Sequence, residues 1–385
     1  MAVTGNPCGD TNMGKITTVP EGVGILWPLE ADSTLLEHQL TQWLFKLGSL
    51  DWCRREILDT PVGRVLRLRL RKSVFSRLVE GFDTLSLRRK LQKSNPPQDA
   101  EMLMREVWLS MLSAPVRMDF SNLDELQAHL RIRCNIARAA EKTALAFKTD
   151  AAERPADFWH DEPDVGFLLK PDVCLVDALM AATQPERTGR LYDFSCYRAT
   201  EYVILLGIAQ EARASAPQLY ASLESTARTQ CIKSGRFHEV FLTEYGAVEA
   251  PVPAHYYVPG DRVWFKNPDE KSSNAQGYEG SWVIYIGGGR FSNFWKRDAP
   301  YSLHGKALEV YHWRDGAYLD AQSVLHIDET VVETHVALTR VDPVKRQRVV
   351  KRMSRYRDPM GVYGDGGCMD ASREFPRELH RIDLS

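Results

Sequence analysis

Residues 192–206 read YDFSCYRATEYVILL. Asp193 and Ser195 stand just before Cys196, and a long apolar run follows. Aspartate and serine are favoured helix N-caps, because their side-chain oxygens accept hydrogen bonds from the free N–H groups of the first turn. Either cap sets Cys196 in the first turn of a helix running to about Arg213. The stretch ATEYVILLGIA is apolar enough to lie in the core. The partial positive charge of a helix N-terminus favours a thiolate. The same pattern also fits a capped helix whose early cysteine merely packs, since free cysteines are commonly buried.

Composition narrows the classes around this stretch. The chain has 385 residues, is 44% hydrophobic, and carries 49 Lys+Arg against 51 Asp+Glu. That is an ordinary globular balance. No window approaches the roughly 18 apolar residues of a membrane span. The start, MAVTGNPCGDTNMGK, lacks a secretory signal, so the expected location is cytoplasmic, or outside by a route without a Sec signal. The seven cysteines, Cys8, Cys53, Cys134, Cys174, Cys196, Cys231 and Cys368, form no C-x-x-C pair. Scattered and odd in number, they argue against a disulfide framework or a structural zinc site. No phosphate-binding glycine loop, H-E-x-x-H or EF-hand pattern occurs, and neither a metal nor a cofactor is expected. Charge is uneven: Asp51–Asn95 carries a net +7, and KRQRVVKRMSRYR (345–357) holds seven basic residues and no acid.

Along the chain, residues 1–30 read as coil. STLLEHQLTQWLFKLGSL from Ser33 reads as a helix. VGRVLRLRLRKSVFSRLVEGF alternates and then turns helical, and its type stays open. SNPPQD (94–99) is a break, AEMLMREVWLSMLSAP a helix, and SNLDELQAHLRIRCNIARAAEKTALAF a helix capped by Ser121. Residues 149–190 read as loop with a short helix near 172–182. After Phe237, FHEVFLTEY, RVWFKN, SWVIYIG, GRFSNFW and ALEVYHW read as strands separated by PGD, GGG and RDG turns. Helices followed by an antiparallel sheet indicate an α+β fold. The tail from about 342 is basic, then Gly-rich, and is expected to be loose.

Read in order, APVRMDFSNLDELQAHLRIRCNIARAA (114–140), DFWHDEPDVGFLLKPD (157–172), YDFSCYRAT (192–200), GDRVWFKNPD (260–269) and YEGSWVIYIGGGRF (278–291) resemble the bacterial spore-coat protein-glutamine γ-glutamyltransferases. The resemblance covers about residues 110–310. It implies a papain-like, NlpC/P60-related transglutaminase-type domain over 111–341. A mainly helical N-terminal extension (1–110) and a basic tail (342–385) flank it. It further implies calcium-independent acyl transfer, in which Cys196 attacks the γ-carboxamide of a protein glutamine, expels ammonia and forms a thioester. A lysine amine then takes the acyl group as an ε-(γ-glutamyl)lysine cross-link. The implied partners are proteins with exposed Gln and Lys.

The match departs where a base is needed. The family's glutamate in its Trp-x-Gly-Glu-Asn-Val stretch falls on Ser281, beside Trp282. A second glutamate, directly before the cysteine, falls on Ser195, and the family histidine's turn holds Asn293 and Phe294. A nucleophilic cysteine needs a group that takes its proton and returns it to the leaving amine. Glu279 lies two residues before Ser281, on the same side of a strand, and is the provisional base. His304 in YSLHGKAL is a second candidate. His238 and His255 are further imidazoles without a spacing argument. Asn267, in the Phe-Lys-Asn-Pro loop, joins Ser195, Ser281 and Trp282 as a candidate substrate-binding residue. The alternative function is a degenerate site on a binding or structural scaffold. The run 345–357 is a candidate polyanion contact.

Overall fold

The computed structural model describes residues 19–27, 33–61, 63–92, 99–147, 152–232, 234–358 and 366–384. Cys8, most of the expected coil at 1–30, most of the SNPPQD break and the glycines at 361 and 364 fall outside them.

The alternating stretch resolves into a strand, Gly63–Leu70, followed by the helix Lys72–Leu78. Leu66, Leu68 and Leu70 point inward, while Arg67 and Arg69 reach Glu56 at 3.8 and 2.9 Å on the neighbouring strand. That strand, Cys53–Thr60, pairs antiparallel with Gly63–Leu70, which pairs with Val23–Trp27. Val23–Trp27 runs parallel to Met118–Phe120 and completes a four-stranded sheet. The helices Ser33–Lys46 and Asp99–Leu112 share its core, with Trp43 and Trp108 edge-to-face at 4.8 Å. The N-terminal region thus carries a sheet beside its helices.

The second unit is layered, with helices and an antiparallel sheet in the α+β arrangement. Leu123–Lys142 is capped by Asn122, whose side chain accepts from the Glu125 N–H at 2.9 Å. Asn122, not Ser121, therefore starts this helix. It packs along the helix Cys196–Ser215. At their closest approach a Cβ on Gly207 would lie 2.4 Å from Ile136 Cγ1 and 2.8 Å from its backbone nitrogen. Only glycine admits that spacing.

The six-stranded sheet has the order Tyr301–Ser302, Arg290–Phe291, Gly280–Gly287, Arg262–Lys266, Arg373–Pro376, Leu242–Tyr245. Along Gly280–Gly287, Ile284 and Ile286 join the helical core with Ile132, Ile136 and Val203. Val283 and Tyr285 join a separate core with Ala307, Val310 and Trp313. This two-residue alternation sandwiches the strand between two apolar layers.

Further expectations are corrected. FHEVFLTEY is the end of the helix Ser234–Phe241 followed by the strand Leu242–Tyr245. ALEVYHW is not a strand. It lies in the helix Leu303–Gly316, started by Ser302, whose hydroxyl accepts from the Gly305 N–H at 3.0 Å. Its buried residues Leu303, Lys306, Ala307, Val310 and Trp313 recur at spacings of three and four. The tail is not loose where it is described. Asp342 caps the helix Pro343–Met353, and Arg373–Pro376 inserts into the sheet beside Leu242–Tyr245. Buried Val349 and Met353 anchor that basic helix. Among the described residues no helix is long and apolar enough to cross a membrane.

Candidate functional site

Cys196 is the first residue of its helix. Ser195 is the N-cap and accepts from the Arg198 N–H at 3.3 Å. Asp193, the other candidate cap, instead belongs to a short strand that pairs with Ala146–Phe147. That pairing brings Phe147 beside the cysteine. Cys196, Phe147, Ser281 and Trp295 line a cavity of about 670 Å³, which the helix Leu303–Gly316 and the helix Glu329–Val341 close on the far side.

The sulfur's surroundings pull in opposite directions. Burial, the largest influence, pushes the thiol above its ordinary value. The backbone N–H groups of Trp282 and Tyr197 and the Lys306 charge act the other way, and Glu279 adds a small upward push. Removing a charge from water outweighs the helix terminus here. Burial thus works against the ionised thiol that the helix terminus was expected to favour.

The candidate residues fall at distinct places. Ser281 is buried in the cavity wall, opposite Phe265 on the neighbouring strand. Trp282 stacks on Trp264 with ring centroids 5.7 Å apart and meets Tyr197 edge-on at 5.3 Å. The Arg262 guanidinium lies 4.6 Å from the Trp282 ring centroid. Asn267 is buried and braces its loop: its side chain donates to the Ser272 hydroxyl and to the Tyr278 carbonyl, both at 3.0 Å. Glu279 is exposed and is not among the residues that line the cavity, although its charge acts on the Cys196 sulfur, and its backbone carbonyl accepts from the Asn267 N–H at 3.0 Å. His304 lines a different cavity, with Arg340 and Arg346. Partial shielding, His255 and Arg346 hold His304 below its ordinary value. His238 reaches Glu374 at 3.2 Å. Among the described residues no histidine lines the Cys196 cavity.

Sequence reading missed the cavity's far wall. Lys306 is almost fully buried there and pairs with Glu309 at 2.7 Å, its ammonium 4.1 Å from the Tyr301 ring centroid. The Tyr301 hydroxyl donates to the same Glu309 oxygen at 3.3 Å. The Tyr278 hydroxyl donates to Glu329 at 2.6 Å. Burial raises the Glu329 carboxyl, Tyr278 partly offsets this, and Glu309 adds to it. Lys296 pairs with Glu333. The pocket thus brings together one thiol, one buried ammonium and several carboxyls, the kinds of group that acyl transfer through sulfur uses as nucleophile, countercharge and proton carriers. The sequence signal for this wall was the Ser302 cap and the helical spacing that follows it.

Comparison with known proteins agrees on the family. A profile described as Protein-glutamine gamma-glutamyltransferase matches residues 84–365. A Bacillus subtilis (strain 168) protein of that name is 26% identical over 197 residues, which cover 49% of this chain and 71% of the relative. One from Halalkalibacterium halodurans is 28% identical over 169 residues, 43% of this chain and 54% of the relative, so the match spans about half of that protein. A transglutaminase from Geobacillus stearothermophilus, without its C-terminal extension, superposes with a TM-score of 0.39 at 14% identity. That alignment covers 69% of this chain and 100% of the other. With the profile spanning well over half of the chain, Cys196 and its cavity included, this protein belongs to the protein-glutamine gamma-glutamyltransferase family.

Proposed function

We propose that the chain transfers the γ-acyl group of a protein glutamine through a thioester on Cys196. The observation that carries this reading is the position of Cys196. It opens a buried helix into a cavity, with two backbone N–H groups and the Lys306 charge acting on its sulfur.

Glu279 takes the thiol proton as the sulfur attacks the carboxamide carbon. The C–N bond breaks, the proton passes to the departing nitrogen, and ammonia leaves. Lys306 opposes the negative charge that builds on sulfur before the bond forms. A primary amine, the side chain of a protein lysine among them, then attacks the thioester, or water does so and leaves glutamate. Glu279 takes the proton of the attacking amine or water and passes it to the departing sulfur, so that Cys196 leaves as the thiol. The Glu329 carboxyl in the far wall accepts a hydrogen bond from the incoming amine. Ser281 flanks the carboxamide, the Trp282 backbone N–H faces the sulfur, and Asn267 holds the loop carrying Glu279. The exposed basic face of Pro343–Met353 is proposed as a polyanion contact, tested by salt-dependent retention on heparin.

The test is ammonia release from a glutamine peptide, with and without a primary amine. Release that disappears in Cys196→Ala supports the reading, and incorporation of the amine assigns cross-linking over deamidation. A folded protein that releases no ammonia in either condition overturns it.

A further inference from the structure

Behind the cavity's far wall, His312, Asp315 and His335 bring three metal-binding atoms within 4.8 Å of one another. We infer that these three side chains bind a zinc-class divalent cation that ties the helix Leu303–Gly316 to the helix Glu329–Val341.

His312 and Asp315 stand three residues apart on one helix, so both face the same side. His335 comes from the other helix. His312 Nδ1 lies 2.5 Å from an Asp315 carboxylate oxygen, and His335 Nδ1 lies 3.8 Å from the same oxygen. Zinc bonds of about 2.1 Å in a tetrahedron place ligand atoms roughly 3.4 Å apart. The two observed spacings bracket that value and the third pair lies within 4.8 Å, so shifts of up to about 1.4 Å would complete the set. The imidazole rings have centroids 5.7 Å apart at 40°. Two histidines and one carboxylate suit zinc and its neighbours, not calcium or magnesium, which prefer oxygen ligands.

The second observation is the support behind His312. The residue is almost completely buried, and its Nε2 bonds the Thr339 hydroxyl at 2.8 Å. In the metal-free chain His312 Nδ1 is hydrogen-bonded to the Asp315 carboxylate, and once a metal takes the place of that proton, the ring proton on Nε2 donates to the Thr339 hydroxyl. Metal-bound histidines are commonly held this way through their second nitrogen. Glu309 and Trp313 precede His312 and Asp315 on one helix, and Val332 and Glu333 precede His335 on the other; all four line the Cys196 cavity. An ion here would stiffen that wall without entering the chemistry, and the inference does not rest on the acyl-transfer reading.

The test is calorimetric titration of the chelator-treated, tag-free full chain with zinc chloride. One equivalent binds, and the melting temperature rises with it. His335→Gln and Asp315→Asn each weaken binding at least tenfold. Thr339→Val weakens it about 10–100-fold. His335 is partly exposed, so its replacement leaves the buried His312–Thr339 bond in place. His380→Gln, in the separate Glu125–Glu378–His380 group, leaves binding unchanged. No binding at 100 µM zinc (a concentration of about that order suffices for a site of this class), full binding in His335→Gln, or loss on His380→Gln overturns the assignment.

Discussion

Replacing Gly207 by alanine tests how the helix bearing Cys196 is seated. On an open helix face this change stabilises by up to about 1 kcal/mol. Here the new Cβ meets Ile136 Cγ1 at 2.4 Å, the Ile136 backbone nitrogen at 2.8 Å and its Cα at 3.2 Å. A rotamer change at Ile136 relieves the first contact for about 0.5–1.5 kcal/mol. The backbone contact has no such escape. Ordinary contact begins near 3.4 Å, so the helices must part by about 0.6 Å. Overpacking of this kind costs about 1–3 kcal/mol. Set against the propensity gain, the expected net loss is about 1–2 kcal/mol. In a chain of this size, with an unfolding entropy of about 2.1 cal/mol/K per residue, it appears as a melting temperature lower by roughly 1–3 °C. The displaced helix also carries Cys196 away from the Trp282 N–H, so acyl transfer falls about tenfold or more. Scanning calorimetry and ammonia release are the assays. A Gly207→Ala protein that melts at or above the parent refutes the close approach.

Three further outcomes follow from the same geometry. Glu279→Gln lowers ammonia release about 10²–10⁴-fold while leaving the melting temperature unchanged, and activity within about twofold of the parent would remove Glu279 as the base. Lys306→Met removes the buried charge that lowers the Cys196 thiol, so alkylation of Cys196 by iodoacetamide at pH 8 slows and its pH profile moves to higher pH; a profile moving down would contradict the assigned sign. Burial pushes the Cys53, Cys134 and Cys368 thiols up to about 12 from an ordinary 9.0. The folded state therefore holds these protons after the unfolded state releases them, and this contribution to stability is present below pH 9 and is lost as pH rises toward 12. Melting temperatures measured across that window should decline, and Cys368→Ala, which deletes one such group, should flatten the decline.

The start of the Cys196 helix was legible in sequence because its signals are local: a cap, a thiol and an apolar run. The Gly63–Leu70 strand was half legible, since its alternation is clear but merges into the helix that follows. ALEVYHW misled because Val, Tyr and Trp favour strands on average, while the cap at Ser302 and burial at Leu303, Lys306, Ala307 and Val310 make it helical. Tertiary packing overrode propensity there. The insertion of Arg373–Pro376 into the sheet depends on a partner more than a hundred residues away, and no local pattern announces that. Lys306 and Glu329 escaped for a similar reason. Each is an ordinary charged residue on an amphipathic helix until the fold turns it toward Cys196.

The most direct test is to catch the covalent intermediate. The protein is mixed with a glutamine peptide in the absence of amine, quenched in acid, digested and analysed by mass spectrometry. This account expects the peptide, less one ammonia, attached to Cys196 and released by hydroxylamine. Finding no adduct on a folded, substrate-exposed protein, or finding it on another cysteine, would contradict the central claim.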